Sequence, residues 1–130
     1  CDNILIGGDE RAKVVDFGLS CIPNVSVVSI DVKKQGAVQW RSPEYLRGEP
    51  STLASDVYAL GMCITEAVTG SPPWDNMMDV AVRFRVLKKS SLPLRPETVT
   101  DDNHWRLIEM MCAKEPSQRL RMASVVERLH

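Results

Sequence analysis

Near its start the chain carries a side-chain amide and a carboxylate, each beside a short apolar run. Asn3 precedes the apolar run Ile4-Leu5-Ile6, and a second run, Lys13-Val14-Val15, ends in the turn Asp16-Phe17-Gly18. Side-chain amide and carboxylate oxygens are both hard donors. The two runs flank Gly7-Gly8-Asp9-Glu10-Arg11, and Gly-Gly-Asp tolerates the positive φ angles of a tight reversal, so the segment predicts a small hairpin between the two groups. Each residue also has a plainer reading, Asn3 as a turn residue before a strand and Asp16 as a loop carboxylate next to glycine. A lone Asp-Phe-Gly recurs by chance and decides nothing by itself.

The elements around these residues follow from pattern. Leu19 to Gln35 lacks helical periodicity, is rich in Ser, Val and Lys, and predicts a surface loop. Pro43 suits the first turn of a short helix running to about Arg47, because that position needs no backbone N–H. Ser55 predicts the cap of a helix from Asp56 to about Thr69, stopped by Gly70. Val57, Tyr58, Leu60, Met62, Cys63, Ile64, Ala67 and Val68 lie all round it, which predicts a buried central helix with neighbours on every side.

Asp75 or Asn76 predicts the cap of a helix through about Lys88, with Lys88 and Lys89 suiting its negative end. Ser90 to Glu97 reads as a linker loop. Asp101 and Asp102 open another helix, striped by Trp105, Ile108, Met111 and Cys112 and ended by Pro116. A last helix spans about Met122 to Leu129, with Val125, Val126 and Leu129 inward.

Bulk composition narrows the function classes. At 130 residues the chain is at most one domain or part of one, and 44% hydrophobic with 25% charged residues is ordinary for a soluble globular protein. A net charge of −1 gives no electrostatic case for nucleic acid or an anionic membrane. No apolar run approaches the ~20 residues of a membrane span. Cys1, Cys21, Cys63 and Cys112 are far apart, form no Cys-x-x-Cys and read as reduced thiols, so the expected location is cytoplasmic. His104 and His130 have no ligand-like neighbours.

Taken in order, the motifs resemble the C-terminal lobe of the protein-kinase family, and the match covers essentially the whole chain. Asp2-Asn3-Ile4-Leu5-Ile6 is similar to the end of the catalytic loop, and Asp16-Phe17-Gly18 to the metal-binding turn. Ser42-Pro43-Glu44 stands for the family's Ala-Pro-Glu, and Ser55-Asp56-Val57-Tyr58-Ala59-Leu60-Gly61 resembles the start of the central helix. Pro73-Trp74 and Pro116-Ser117-Gln118-Arg119 resemble later landmarks. The spacing of Gly36, Trp40, Pro43 and Glu44 looks most like the tyrosine-kinase-like group, whose members mostly phosphorylate Ser or Thr.

The resemblance implies an α+β, mainly α fold: a small β-hairpin, an activation segment and about four to five helices around a buried central one. Residues 1–130 would be a partial kinase domain without its N-terminal lobe. It implies ATP and Mg²⁺ as cofactors, with Asn3 and Asp16 as ligands, and a protein substrate. Phe17 would join a hydrophobic stack, and Gly18 would let the backbone flip. Glu44 would pair with Arg119, and Asp56 would accept hydrogen bonds from the catalytic-loop backbone. Ser20, Ser26 and Ser29 are the hydroxyls between Phe17 and Arg41, open to regulatory phosphorylation but read first as solvated loop serines.

Three departures from the family qualify this. Ala37 stands where Ser/Thr kinases usually place a Thr, Ser42 replaces Ala, and Arg119-Leu120-Arg121 lacks the cap of the last helix, which should fray. The Gly-rich loop, strand Lys, partner Glu and His-Arg-Asp are not among these residues, and truncation accounts for that better than decay. The chain alone is therefore expected to be inactive. The alternatives are a pseudokinase or scaffold lobe, binding a partner through the Met77–Lys88 helix without catalysis, and a truncated product with no function.

Overall fold

The computed structural model describes residues 2–18, 20 and 38–129. The chain divides into two units, Cys1–Lys33 and Lys34–His130. In the first, β1 (Ile4–Ile6) and β2 (Ala12–Val14) pair antiparallel, with Ile4 opposite Val14 and Ile6 opposite Ala12. The second strand thus sits one residue earlier than the apolar run suggests. Val15 still donates its N–H to the Asn3 carbonyl (2.9 Å), but beyond the ladder's end. The reversal also differs: Glu10, not a glycine, takes the left-handed φ of 58°, closed by its N–H to the Gly7 carbonyl (2.9 Å).

The second unit is helical, and two 3-10 turns, Val38–Trp40 and Pro116–Gln118, punctuate it. Its helices are α1 (Pro43–Leu46), α2 (Leu53–Thr69), α3 (Asp79–Lys88), α4 (Asp102–Met111) and α5 (Met122–Leu129). With the hairpin, this makes the described chain mainly α with a small two-stranded sheet.

Helix α2 begins earlier than Ser55 implies. Thr52 is the cap, with extended φ of −132°: its hydroxyl accepts from the Ser55 N–H (3.2 Å), while Ser55 Oγ accepts from the Thr52 N–H (2.7 Å). This reciprocal box satisfies two helix-end donors, and Ser55 fills the third helical position rather than the cap. At the other end Gly70 adopts a left-handed φ of 69° and returns its N–H to the Glu66 carbonyl.

The main core joins α2 to α4 and α5: Val57, Tyr58 and Met62 meet Leu107, Ile108, Met111, Cys112 and Val125. A second cluster gathers Val38, Leu46, Trp74, Val82 and Val86. The neighbours of α2 are not equal on all sides, for Leu60, Cys63 and Ile64 are half-buried and Ala67 and Val68 are exposed. The helix is central without being buried all round.

Gly61 sets the closeness of α2 and α4. A Cβ there would lie 2.5 Å from Cys112 Sγ and 3.3 Å from Met111 Cβ. Gly61→Ala is therefore expected to destabilise the unit by about 1–3 kcal/mol, despite alanine's better helix propensity, because overpacking must displace a buried side chain. Urea unfolding measures this; equal or greater stability in the variant would contradict it.

The later helices also depart from expectation. Trp74 and Asp75 occupy the left-handed region (φ 68° and 52°), and the Asp75 N–H closes a turn onto the Pro72 carbonyl. That turn delays α3 to Asp79, with Met78 at the cap and no side-chain bond, so neither Asp75 nor Asn76 caps it. Asp101 caps α4 by accepting from the Asn103 N–H (2.7 Å). Helix α4 ends at Met111, before Pro116, which instead opens the second 3-10 turn. On α5 only Val125 is buried, and Val126 and Leu129 are exposed, because the core takes a single residue from this helix.

Candidate active site

The hairpin places Asn3 and Asp16 near each other through the backbone. The Val15 N–H to Asn3 carbonyl bond leaves Asp16 one residue beyond Asn3's cross-strand partner. Both side chains are exposed. Asp16 holds a left-handed φ of 60°, a conformation that Asp tolerates better than most residues and that recurs where strain serves a site. Its Oδ1 accepts from the Gly18 N–H (3.2 Å), which orients the carboxylate.

Gly18 itself does not carry a left-handed φ; its value here is space, since a Cβ would stand 3.2 Å from Asp16 Oδ1. Phe17 is 67% exposed. Ser20 is exposed and donates its N–H to the Phe17 carbonyl (3.0 Å). Ser26, Ser29, Ala37 and nearly all of the predicted Leu19–Gln35 loop lie outside the described residues.

The donor set fits a hard divalent ion. One amide oxygen and one carboxylate would leave most of an octahedral shell for phosphate oxygens and water, which is how Mg²⁺ is usually held. Among the described residues no three His, Cys, Asp or Glu side chains cluster as an all-protein metal cage.

In the helical unit Glu44 and Arg119 form a buried ion pair 75 positions apart, with Nη1–Oε1 at 2.6 Å and Nη2–Oε2 at 2.7 Å. The other guanidinium donors reach main-chain carbonyls: Nε to Ala113 (2.8 Å), Nη1 to Ala54 (3.0 Å) and Nη2 to Lys114 (3.2 Å). All five N–H groups are thus used, and the guanidinium carbon lies 5.1 Å from the Tyr58 ring centroid. Burial pulls the Glu44 carboxyl upward, but the bonds from Arg119 outweigh it and hold the group below its usual range.

Asp56 behaves oppositely. Desolvation raises its pKa, only partly opposed by Arg41, and among the described residues no hydrogen bond reaches its carboxylate. A carboxyl raised in the folded chain favours folding below the ordinary Asp value of 3.8 and loses that contribution as pH rises through its folded value. The side chain is also exposed and stands in the first turn of α2, whose positive end favours a carboxylate.

Two further ties bear on the segment before α1. The Trp40 indole N–H donates to Glu66 Oε2 on α2 (2.9 Å), and Arg41 lies 4.5 Å from the Tyr45 ring centroid. Trp40 stands out in the sequence as a motif residue, but the acceptor on α2 had no separate signal beyond the need of a half-buried indole for one. The carbonyls that hold Arg119 are invisible to side-chain patterns, being main-chain groups.

A two-stranded hairpin ending in an Asp-Phe-Gly turn, joined in sequence to a helical unit locked by a Glu–Arg pair, defines a kinase-type arrangement. The family model described as "Protein kinase domain" matches residues 1–129, and the chain belongs to that family. Among similar proteins, serine/threonine-protein kinase PknA of Mycobacterium tuberculosis is 33% identical over 92% of this chain and 27% of its own length. The probable serine/threonine-protein kinase PknB of Corynebacterium glutamicum is 32% identical over 94% of the chain and 20% of its own length. The probable serine/threonine-protein kinase mkcD of Dictyostelium discoideum is 28% identical over 96% and 19%. The chain thus spans between about a fifth and a quarter of the length of these relatives.

Proposed function

We propose that the chain is the C-terminal lobe portion of a protein kinase that transfers the γ-phosphoryl of ATP to Ser or Thr hydroxyls of proteins, with a tyrosine-kinase-like activation segment. The observation that supports this is the hairpin itself: the Val15 N–H donates to the Asn3 carbonyl, and Asn3 and Asp16 are both exposed at its open end. Mg²⁺ bound with ATP would supply the neutralising charge that phosphoryl transfer needs. Asn3 and Asp16 bind and orient that ion, and the Gly18 N–H fixes the carboxylate that does so. Glu44 and Arg119 act on structure alone: they tie α1 to the start of α2 and the end of α4, and so hold the base of the segment. Among the described residues no hydrogen-bond donor reaches the Asp56 carboxylate, which is suited to receive backbone N–H groups.

On this reading the chain offers two metal ligands, while the family's Gly-rich loop and His-Arg-Asp motif are not among its 130 residues. The isolated chain is therefore expected to transfer no phosphate and to bind Mg-ATP very weakly. Transfer from radiolabelled ATP by the purified chain, lost on Asp16→Ala, would overturn this reading of the fragment. A scaffold role is the second reading, and Met78, Val80 and Phe84, all exposed around α3, are the observation in its favour.

A further inference from the structure

The helical unit contains a cleft of about 300 Å³ between the C-terminal end of α2, the Ser71–Asp75 turn and Leu92-Pro93-Leu94. That volume reaches the lower end of small-molecule sites, about 300–1,000 Å³. Its walls are largely apolar, with Pro72, Pro73, Trp74, Met77, Leu92 and Leu94 contributing. Leu94 is 92% exposed, a large apolar surface left to water at the edge of an existing hollow.

The turn that shapes the cleft holds two consecutive non-glycine residues, Trp74 and Asp75, in the left-handed region. Backbone strain of this kind clusters at ligand sites. Trp74 is buried, and its indole N–H has no hydrogen-bond partner among the described residues.

Charge selects the ligand. Arg85 is the cation among the lining residues, it is exposed, and no ion pair engages it among the described residues. Asp75 also lines the cleft and is not paired with Arg85, so a ligand with more than one negative charge would meet repulsion. We propose that this cleft binds an apolar monocarboxylate, its hydrocarbon against Trp74, Met77 and Leu94 and its carboxylate on Arg85. The site shares no residue with the metal-binding turn and does not depend on the kinase reading.

The test is indole N–H NMR on the natural protein that carries this chain, titrated with decanoate below its micelle concentration. The Trp74 resonance is expected to shift saturably while those of Trp40 and Trp105 stay in place. Decylammonium should bind about tenfold more weakly, and Arg85→Gln should weaken decanoate by about tenfold, the loss of one charge-assisted contact. Arg85 is exposed, so that variant keeps the fold. A Trp74 resonance that does not move, equal binding of the ammonium, undiminished binding by Arg85→Gln, or all three indoles moving together would each overturn the proposal.

Discussion

Arg119→Ala and Glu44→Ala are each expected to destabilise the fold by about 3–5 kcal/mol, a large share of the roughly 5–15 kcal/mol that holds a domain together. The size follows from what each truncation leaves behind. Alanine at 119 strands a carboxylate 2% exposed and removes the donors of the Ala54, Ala113 and Lys114 carbonyls. Alanine at 44 strands a guanidinium with no exposed side-chain surface. Arg119→Lys keeps the charge but not the planar fork, so it should recover only part of the loss.

Thermal unfolding should show both alanine variants melting roughly 10 °C or more below the parent. Two variants within experimental error of the parent would show that the pair contributes nothing. Because Glu44 is held below its ordinary value of 4.5, its contribution is present above that value and is lost as pH falls through the lower folded value. The gap between parent and Glu44→Ala should therefore close in acid.

The second large effect concerns the turn. On the proposed kinase function, Asp16→Ala in the natural protein that carries this chain is expected to cut phosphoryl transfer by roughly 10²–10³-fold or more, the range seen when one preorganised electrostatic group is removed. Asp16 is exposed and makes one local bond, to the Gly18 N–H, so the fold should survive its loss. Gly18→Ala should lower activity by a different route, crowding the carboxylate at 3.2 Å rather than removing it.

Local elements were legible in the sequence to the extent that their signals are local. Gly70 announces the end of α2, and Pro43 the start of α1, because each has a fixed backbone role. Ser55-Asp56 looks like the cap of α2 in sequence, while the Thr52–Ser55 box that starts the helix works through hydroxyls on both sides. The start of α3 was hidden by a left-handed pair at Trp74 and Asp75, residues whose types do not advertise it. Val126 and Leu129 fit an inward stripe, yet a helix at the margin of a core buries only what its neighbour reaches, here Val125. Nothing local couples Glu44 to Arg119 across 75 positions; only the family resemblance named both. The five-donor arrangement around Arg119 depends on main-chain carbonyls that no side-chain pattern encodes.

The most direct measurement of the central claim is transfer of labelled γ-phosphate from ATP to protein hydroxyls by the natural protein, wild type against Asp16→Ala, at saturating Mg²⁺. The account predicts loss of transfer with an unchanged melting temperature. Transfer retained within about twofold in a folded Asp16→Ala variant, a barrier change far below that of a lost catalytic group, would contradict it.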